Sequence, residues 1–94
     1  MNIFKVVLSE SAKRDLKKVP KHIAVKLYGW IEAVAHDGLI EVRKISGYHD
    51  EPLKGKRKGQ RSIRLSISYR AIYEINNNGK MELVEVIEVN KHDY

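Results

Sequence analysis

Residues 60–75, QRSIRLSISYRAIYEI, decide the fold that the sequence predicts. In the first half of this stretch Ile63, Leu65 and Ile67 alternate with polar side chains. The second half, residues 69–75, is again rich in β-branched and aromatic residues. Alternation with a period of two is typical of a strand that packs one face on a core. The stretch therefore predicts two neighbouring strands.

Downstream of this stretch, residues 76–79 read Asn-Asn-Asn-Gly and precede a further apolar run at residues 81–89. Asn and Gly tolerate the positive φ angles that tight turns require. The C-terminal half is therefore predicted to form an antiparallel sheet.

The N-terminal half predicts a strand at residues 2–8, NIFKVVL, followed by a helix. Ser9 is a suitable N-cap, because its hydroxyl can accept a hydrogen bond from the first helical turn, so the helix is expected to begin near Glu10. Pro20 lacks an N–H and suits the start of a second helix, so Val19-Pro20 should separate two helices of a hairpin.

The second helix is predicted to cover the sheet with one apolar face, and Gly38 is expected to end it. Residues 40–59 are rich in Gly, Pro and charge, which predicts loops or short irregular elements that lead into a strand around residues 52–56. The order strand, helix, helix and three or four strands indicates the α+β class. The predicted apolar face consists of Ile23, Leu27, Ile31 and Val34, with Trp30 beside it.

The composition limits the classes of protein to which the chain can belong. Its 94 residues, 43% of them hydrophobic, suffice for one folded domain over residues 1–94. The chain has no Cys, which excludes disulfides and thiolate zinc sites. The first residues hold too few apolar side chains for a secretory signal or a membrane span, so we expect a cytoplasmic protein.

Positive charge is concentrated in one segment. Lys and Arg outnumber Asp and Glu by 18 to 12, and the net charge of +6 favours a polyanionic partner. On a strand, Arg64 should project away from the face of Ile63 and Leu65, and Arg70 can join it across the hairpin. A solvated basic surface is the plain alternative, but an anion-binding surface is favoured. Between Leu53 and Tyr73 the basic residues are Lys54, Lys56, Arg57, Lys58, Arg61, Arg64 and Arg70, without an acidic residue among them.

Two further groups of residues can perform acid–base chemistry beside this surface. The first is His49-Asp50-Glu51, where a neighbouring cation would hold a carboxylate ionised as a base, although a polar turn before Pro52 is the simpler reading. The second is the C-terminal Lys91-His92-Asp93-Tyr94, in which a His can exchange protons near neutral pH. No metal-ligand or nucleotide-binding spacing occurs, so we expect no cofactor and no metal. Tyr69 and Tyr73 are read as ordinary packing residues.

The segment EPLKGKRKGQRSIRLSISYRAIYEI and the C-terminal KHDY resemble the RelE/ParE toxin superfamily, nearest its RelE, HigB and YoeB-type members. The resemblance covers nearly the whole chain and implies a helical hairpin packed on a small antiparallel sheet. It further implies a toxin of a type II toxin–antitoxin system that cuts messenger RNA on the ribosome. The implied partners are a cognate antitoxin protein, the ribosome and mRNA.

The same resemblance implies catalytic roles for Glu51, which precedes the PLK motif, and for Lys54, the last residue of that motif. It implies such roles also for the strand arginines Arg64 and Arg70. Where YoeB-like members end in a His-Tyr pair, this chain has His92-Asp93-Tyr94, so the general acid can correspond to His92 or to Asp93. Tyr94 would complete the site, and Lys56, Arg57, Lys58 and Arg61 would bind RNA. Two alternatives stay open: a ParE-like poison of DNA gyrase and an RNA-binding module without catalysis.

Overall fold

A five-stranded sheet, covered by helices on one face, forms the framework of the protein in a computed structural model that describes residues 2–91. The strand order is β1-β5-β4-β3-β2, with β1 parallel to β5 and every other neighbouring pair antiparallel. The expected α+β class with a helical hairpin on a mostly antiparallel sheet is confirmed. The strands are β1 (Val6–Leu8), β2 (Glu51–Pro52), β3 (Gln60–Arg64), β4 (Tyr69–Asn77) and β5 (Glu82–Lys91). The helices are α1 (Glu10–Leu16), α2 (Lys21–Asp37) and α3 (Leu39–Val42), with 3₁₀ turns at Ser46–Tyr48 and Gly55–Arg57.

The ends of the helices follow from local chemistry. The Ser9 hydroxyl accepts a hydrogen bond from the backbone N–H of Ala12 at 3.0 Å and donates one to the carbonyl of Ile87 at 3.0 Å. It therefore caps α1 and ties it to β5. Pro20 precedes α2, and Gly38 follows it with a φ of +87° that favours glycine. The predicted cap, break and stop are confirmed.

Helix α2 supplies the centre of the core, but its buried face is centred one residue away from the prediction. Trp30 is fully buried, and its ring lies 5.2 Å from that of Tyr73 on β4, tilted by 44°. Ile31 is only partly buried against the core. Trp30 lies three residues after Leu27 and four before Val34, so it sits in the middle of the apolar stripe, whereas Ile31 lies at its margin.

Three predicted strand boundaries were wrong, and local hydrogen bonds explain two of them. Strand β3 ends at Arg64, because the Ser66 hydroxyl accepts hydrogen bonds from the N–H groups of Ser68 and Tyr69 and closes a turn. Ile67 in this turn is 77% exposed instead of buried. The strand expected at residues 52–56 is limited to β2, because the chain turns at Gly55 with a φ of +66°. The first strand covers residues 6–8 and not 2–8, because the carbonyl of Ile3 bonds to Leu39 instead of to the sheet.

A buried ion pair fastens the β2 end of the sheet. The Asp50 side chain is 1% exposed and accepts hydrogen bonds from Nε of Arg61 and from Oη of Tyr73, each at 2.6 Å. Burial, followed by the hydrogen bond to the Asp50 carboxylate, raises the pKa of Tyr73 to about 12, although Arg43 opposes this rise. The neutral phenol is thus the form that the fold stabilises.

This raised pKa predicts a loss of stability at high pH. In the folded protein the pKa of Tyr73 lies above its ordinary value of 10.0. The contribution of Tyr73 to the stability of the fold is therefore complete below pH 10 and is lost as the pH rises through about 12. Two pKa units correspond to up to about 3 kcal/mol in the free energy of unfolding. We therefore expect the free energy of unfolding, measured with urea, to fall more steeply between pH 10 and pH 12 for the wild type than for Tyr73→Phe.

Phenolate absorbance gives the matching direct measurement. The Tyr73→Phe variant should lack the last ionisation step of the folded wild-type protein, near pH 12. Identical titration curves for the two proteins above pH 10 would contradict the raised pKa.

Candidate active site

An open cleft lies on the face of the sheet that the helices leave uncovered, at the end where β3 turns into β4. Its volume is about 340 Å³, including the solvent at its mouth. It is lined by His49, Glu51, Ser62, Arg64, Ser66, Ile67, Tyr69 and Arg70.

Strand register brings the charged residues of this cleft together. Arg64 on β3 lies directly opposite Arg70 on β4, and Glu51 on β2 lies opposite Ser62, two residues before Arg64. Because side chains alternate across a strand, all of these residues face the same side of the sheet. The predicted projection of Arg64 away from Ile63 and the meeting of Arg70 with Arg64 are confirmed.

The two arginines form an unusual cross-strand pair. Side chains directly opposite each other on antiparallel strands have Cβ atoms about 4.5–5.5 Å apart, and like charges there are destabilising. Arg70 donates a hydrogen bond from Nε to the Asn90 side chain at 3.4 Å. Within residues 2–91 no carboxylate forms an ion pair with Arg64 or Arg70. An anion bound between them would offset their repulsion.

His49 lines the cleft, although the sequence analysis named it only within the group His49-Asp50-Glu51 and gave it no role in the site. Its Nε2 lies 3.4 Å from Oε2 of Glu51, and both side chains are about half exposed, at 56% and 54%. His49 follows the 3₁₀ turn with a φ of +47°, in the left-handed region that non-glycine residues seldom adopt. Because the chain turns at His49 before β2 begins at Glu51, strand alternation in the sequence does not indicate that the two side chains share the cleft.

The rest of the basic run divides among three locations. Lys54, Lys56 and Lys58 are exposed and lie outside the lining of the cleft. Arg57 forms an ion pair with Glu88 of β5 and donates a hydrogen bond to the Gln60 side chain at 2.8 Å. Arg61 faces the helix-covered side and is held by Asp50. The predicted catalytic residues His92 and Tyr94, like Asp93, lie outside the described residues.

The two tyrosines that the sequence assigned to packing differ in position. Tyr73 is fully buried under Trp30, as expected. Tyr69 packs partly on the core and also lines the cleft.

Two features are absent from residues 2–91. No group of three or more His, Cys, Asp or Glu side chains there is arranged to hold a metal ion. In the same range no helix is long and apolar enough to cross a membrane.

Solved structures of toxins share this fold. A YoeB/ParE toxin from Agrobacterium tumefaciens superposes with a TM-score of 0.67 at 22% sequence identity, over 95% of this chain and 99% of that one. YafQ from Escherichia coli gives a TM-score of 0.72 at 19% identity, over 94% and 92% of the two chains. The YoeB-YefM complex from Staphylococcus aureus gives 0.68 at 19% identity, over 96% and 98%. At sequence identities this low, the structural similarity shows a shared fold and nothing more.

A sequence-family comparison assigns the chain. No curated protein sequence gives a significant match. The family described as ParE toxin of type II toxin-antitoxin system, parDE, matches residues 6–93, which is nearly the entire chain. The expected resemblance is confirmed, and the chain belongs to this ParE toxin family within the RelE/ParE superfamily of type II toxin–antitoxin toxins.

Proposed function

We propose that the protein is a ribosome-dependent mRNA endonuclease that inhibits translation. The observation that carries this proposal is the cleft in which the Glu51 carboxylate shares one face of the sheet with Arg64 and Arg70. A base beside two cations is the arrangement that phosphodiester cleavage by an internal nucleophile requires.

In the proposed reaction, Glu51 accepts the proton of a ribose 2′-hydroxyl, and the 2′-oxygen attacks the adjacent phosphorus. The bond to the 5′-oxygen breaks, and that oxygen takes a proton from His92 or Asp93. The products are a 2′,3′-cyclic phosphate and a 5′-hydroxyl end. Arg64 and Arg70 stabilise the charge that builds on the phosphorane oxygens.

The surrounding residues have supporting roles in this proposal. Contact with His49 can orient the Glu51 carboxylate, since Nε2 of His49 and Oε2 of Glu51 lie 3.4 Å apart. Lys54, Lys56 and Lys58 are exposed and suit contacts with RNA phosphates outside the cleft. Arg57 and Arg61 are already paired with carboxylates, so we assign them to structure instead of RNA binding. No metal ion takes part in the proposed steps.

A cognate antitoxin is the expected regulator. The YoeB and YafQ neighbours include toxin–antitoxin complexes, namely YoeB-YefM and DinJ-YafQ. An acidic segment of a partner would neutralise the arginine pair and cover the cleft. Ribosomes and mRNA as substrates would make the cytoplasm the site of action.

A second candidate function is favoured by the family description, which names a ParE toxin. The resemblance implies for ParE-type members that they poison DNA gyrase without cutting RNA.

A third possibility is an RNA-binding module, a basic protein with the same cleft but no catalysis, which would bind RNA and leave it intact. Both alternatives predict uncut messages.

Chemically modified mRNA tests the proposed reaction. Purified toxin, ribosomes and a message with one mapped cut site should yield a 2′,3′-cyclic phosphate end. A 2′-deoxy nucleotide at the position before the scissile phosphate removes the nucleophile and should abolish that cut. The same substitution one codon away serves as the control and should leave cutting unchanged.

Two results would contradict the proposal. Cutting of the deoxy-substituted message at the same bond would remove the 2′-hydroxyl from the mechanism. Intact messages, together with inhibition of gyrase supercoiling by the same preparation, would favour the gyrase poison.

Replacing the arginine pair should affect catalysis much more than stability. Arg64 is exposed and Arg70 is half-buried, so Arg64→Ala and Arg70→Ala remove little core packing. Each change should lower kcat by about 10² to 10³-fold, as expected for the loss of a group that stabilises developing charge. Lys80→Ala in the β4–β5 turn removes the same charge far from the cleft and should retain the wild-type rate. Equal rates in all four proteins would exclude the arginine pair from the reaction.

A chain that ends at Lys91 tests the C-terminal residues. The last core residue of β5 among the described residues 2–91 is Val89, so the chain that ends at Lys91 should unfold at nearly the wild-type urea concentration. It should bind ribosomes and lose about 10² to 10⁴-fold in cleavage rate, because the general acid is missing. His92→Ala and Asp93→Asn then show which residue supplies the proton. Full activity of the truncated chain would transfer the acid role to another residue, with His49 of the cleft the first candidate.

A further inference from the structure

The segment His49-Asp50-Glu51 divides between the two faces of the sheet. His49 and Glu51 line the open cleft, whereas Asp50 reaches Arg61 and Tyr73 on the helix-covered face. Three consecutive ionisable residues thus serve two sites. The outer two meet the solvent of the cleft, and the middle one is 1% exposed.

The backbone of this segment has few restraints of its own. Strand β2 contains only Glu51 and Pro52, and Pro52 has no N–H to donate to the sheet. His49 has a φ of +47°, a conformation that costs free energy in any residue but glycine and persists only where the surroundings enforce it. The N–H of His49 bonds to the carbonyl of Ser46 and that of Leu53 to the carbonyl of Gln60, so backbone bonds hold the two ends of the segment and the side chain of Asp50 can hold its centre.

Asp50 provides that restraint through two short charge-assisted hydrogen bonds of 2.6 Å. Both donors belong to rigid parts of the sheet, because Arg61 and Tyr73 are direct partners in the β3–β4 register. Tyr73 is itself fully buried and packed against Trp30 of α2. Asp50 thus connects the buried Tyr73 of the core to the backbone of the neighbouring Glu51.

The same strands carry the cations of the cleft. Arg64 lies three residues after Arg61 on β3, and Arg70 lies three residues before Tyr73 on β4. Anchoring Asp50 to Arg61 and Tyr73 therefore restricts the backbone of Glu51, and with it the range of positions that its carboxylate can take relative to the arginine pair. Misplacement of a catalytic group by about 1 Å can cost about 10²-fold in rate.

We propose that Asp50 is a positioning residue, held by Arg61 and Tyr73, that sets the Glu51 carboxylate against Arg64 and Arg70. The inference rests on the proposed function for its effect on catalysis, whereas the anchoring can be measured without any activity. It also gives a role to Arg61, which the basic run alone assigned to RNA.

Amide hydrogen exchange on the full chain tests the anchoring. Asp50→Asn keeps the shape of the side chain and removes its charge, and Tyr73→Phe removes one hydrogen bond and keeps the ring. Both variants should exchange faster than wild type at residues 49–51. The control is Val34→Ala, which creates a cavity under α2. It should leave exchange at residues 49–51 unchanged when all three variants are compared at equal global stability. Unchanged exchange at 49–51 in Asp50→Asn and Tyr73→Phe would overturn the anchoring.

Single-turnover cleavage of ribosome-bound mRNA tests the catalytic consequence. Asp50→Asn and Tyr73→Phe should lower kcat by about 10- to 10²-fold without a change in KM, while Val34→Ala retains the wild-type rate. In a Glu51→Gln background the same two changes should cost nothing further, because Asp50 acts through Glu51.

The outcomes separate the two proposals. An equal rate loss from Asp50→Asn with and without Glu51 would mean that Asp50 acts only on general stability and would overturn the positioning role. Wild-type protein that cuts no message, combined with faster exchange at 49–51 in the variants, would refute the endonuclease and keep the anchoring. A Glu51→Gln variant with the wild-type rate would refute both the base and its positioning.

Discussion

The register between β3 and β4, with Ile63 opposite Ala71 and Arg64 opposite Arg70, is the constraint on which the molecule depends. It assigns one set of side chains to the core beneath α2 and the adjacent set to the cleft. A slip of one residue would turn Ile63 to solvent and bury an arginine, at a cost of several kcal/mol for the unpaired charge. The register that buries the core is therefore also the register that forms the cleft.

The charges of the open face are balanced unevenly along its length. Near the β3–β4 turn, Arg64 and Arg70 lack carboxylate partners among residues 2–91, whereas farther along β4 the acidic Glu74 lies opposite Glu85. Asn76 donates hydrogen bonds to both of these carboxylates, at 3.3 and 2.8 Å, which lowers the cost of their proximity. Positive potential is thus concentrated at one end of the sheet, where an approaching polyanion would be directed.

Much of the fold could be predicted because its signals are local. Ser9, Pro20 and Gly38 act within one helical turn of their position, and the alternation at Ile63 and Leu65 is visible in five residues. Ile67 continues that alternation in sequence but not in space, because hydrogen bonds to the Ser66 hydroxyl end the strand. Propensity alone does not include such competition between a side chain and the sheet.

The candidate site could be predicted only in part, because its charges have partners that lie far away in the sequence. Glu51, Arg64 and Arg70 line one cleft, whereas Lys54, to which the resemblance gave a catalytic role beside them, does not. Arg57 and Arg61 belong to the same basic run, but Glu88 and Asp50 bind them, and no sequence spacing indicates those pairs. Composition measures how much charge a chain carries, whereas tertiary structure decides which charges remain available.

The parallel pairing of β1 with β5 has a consequence for the order of synthesis. Residues 6–8 find their hydrogen-bonding partners only at residues 84–86, nearly the whole length of the chain later. Helices α1 and α2 can form early from local contacts, but a sheet closed by such distant segments forms late. The sheet that bears the cleft is therefore complete only after residues 84–86 have left the ribosome that made them.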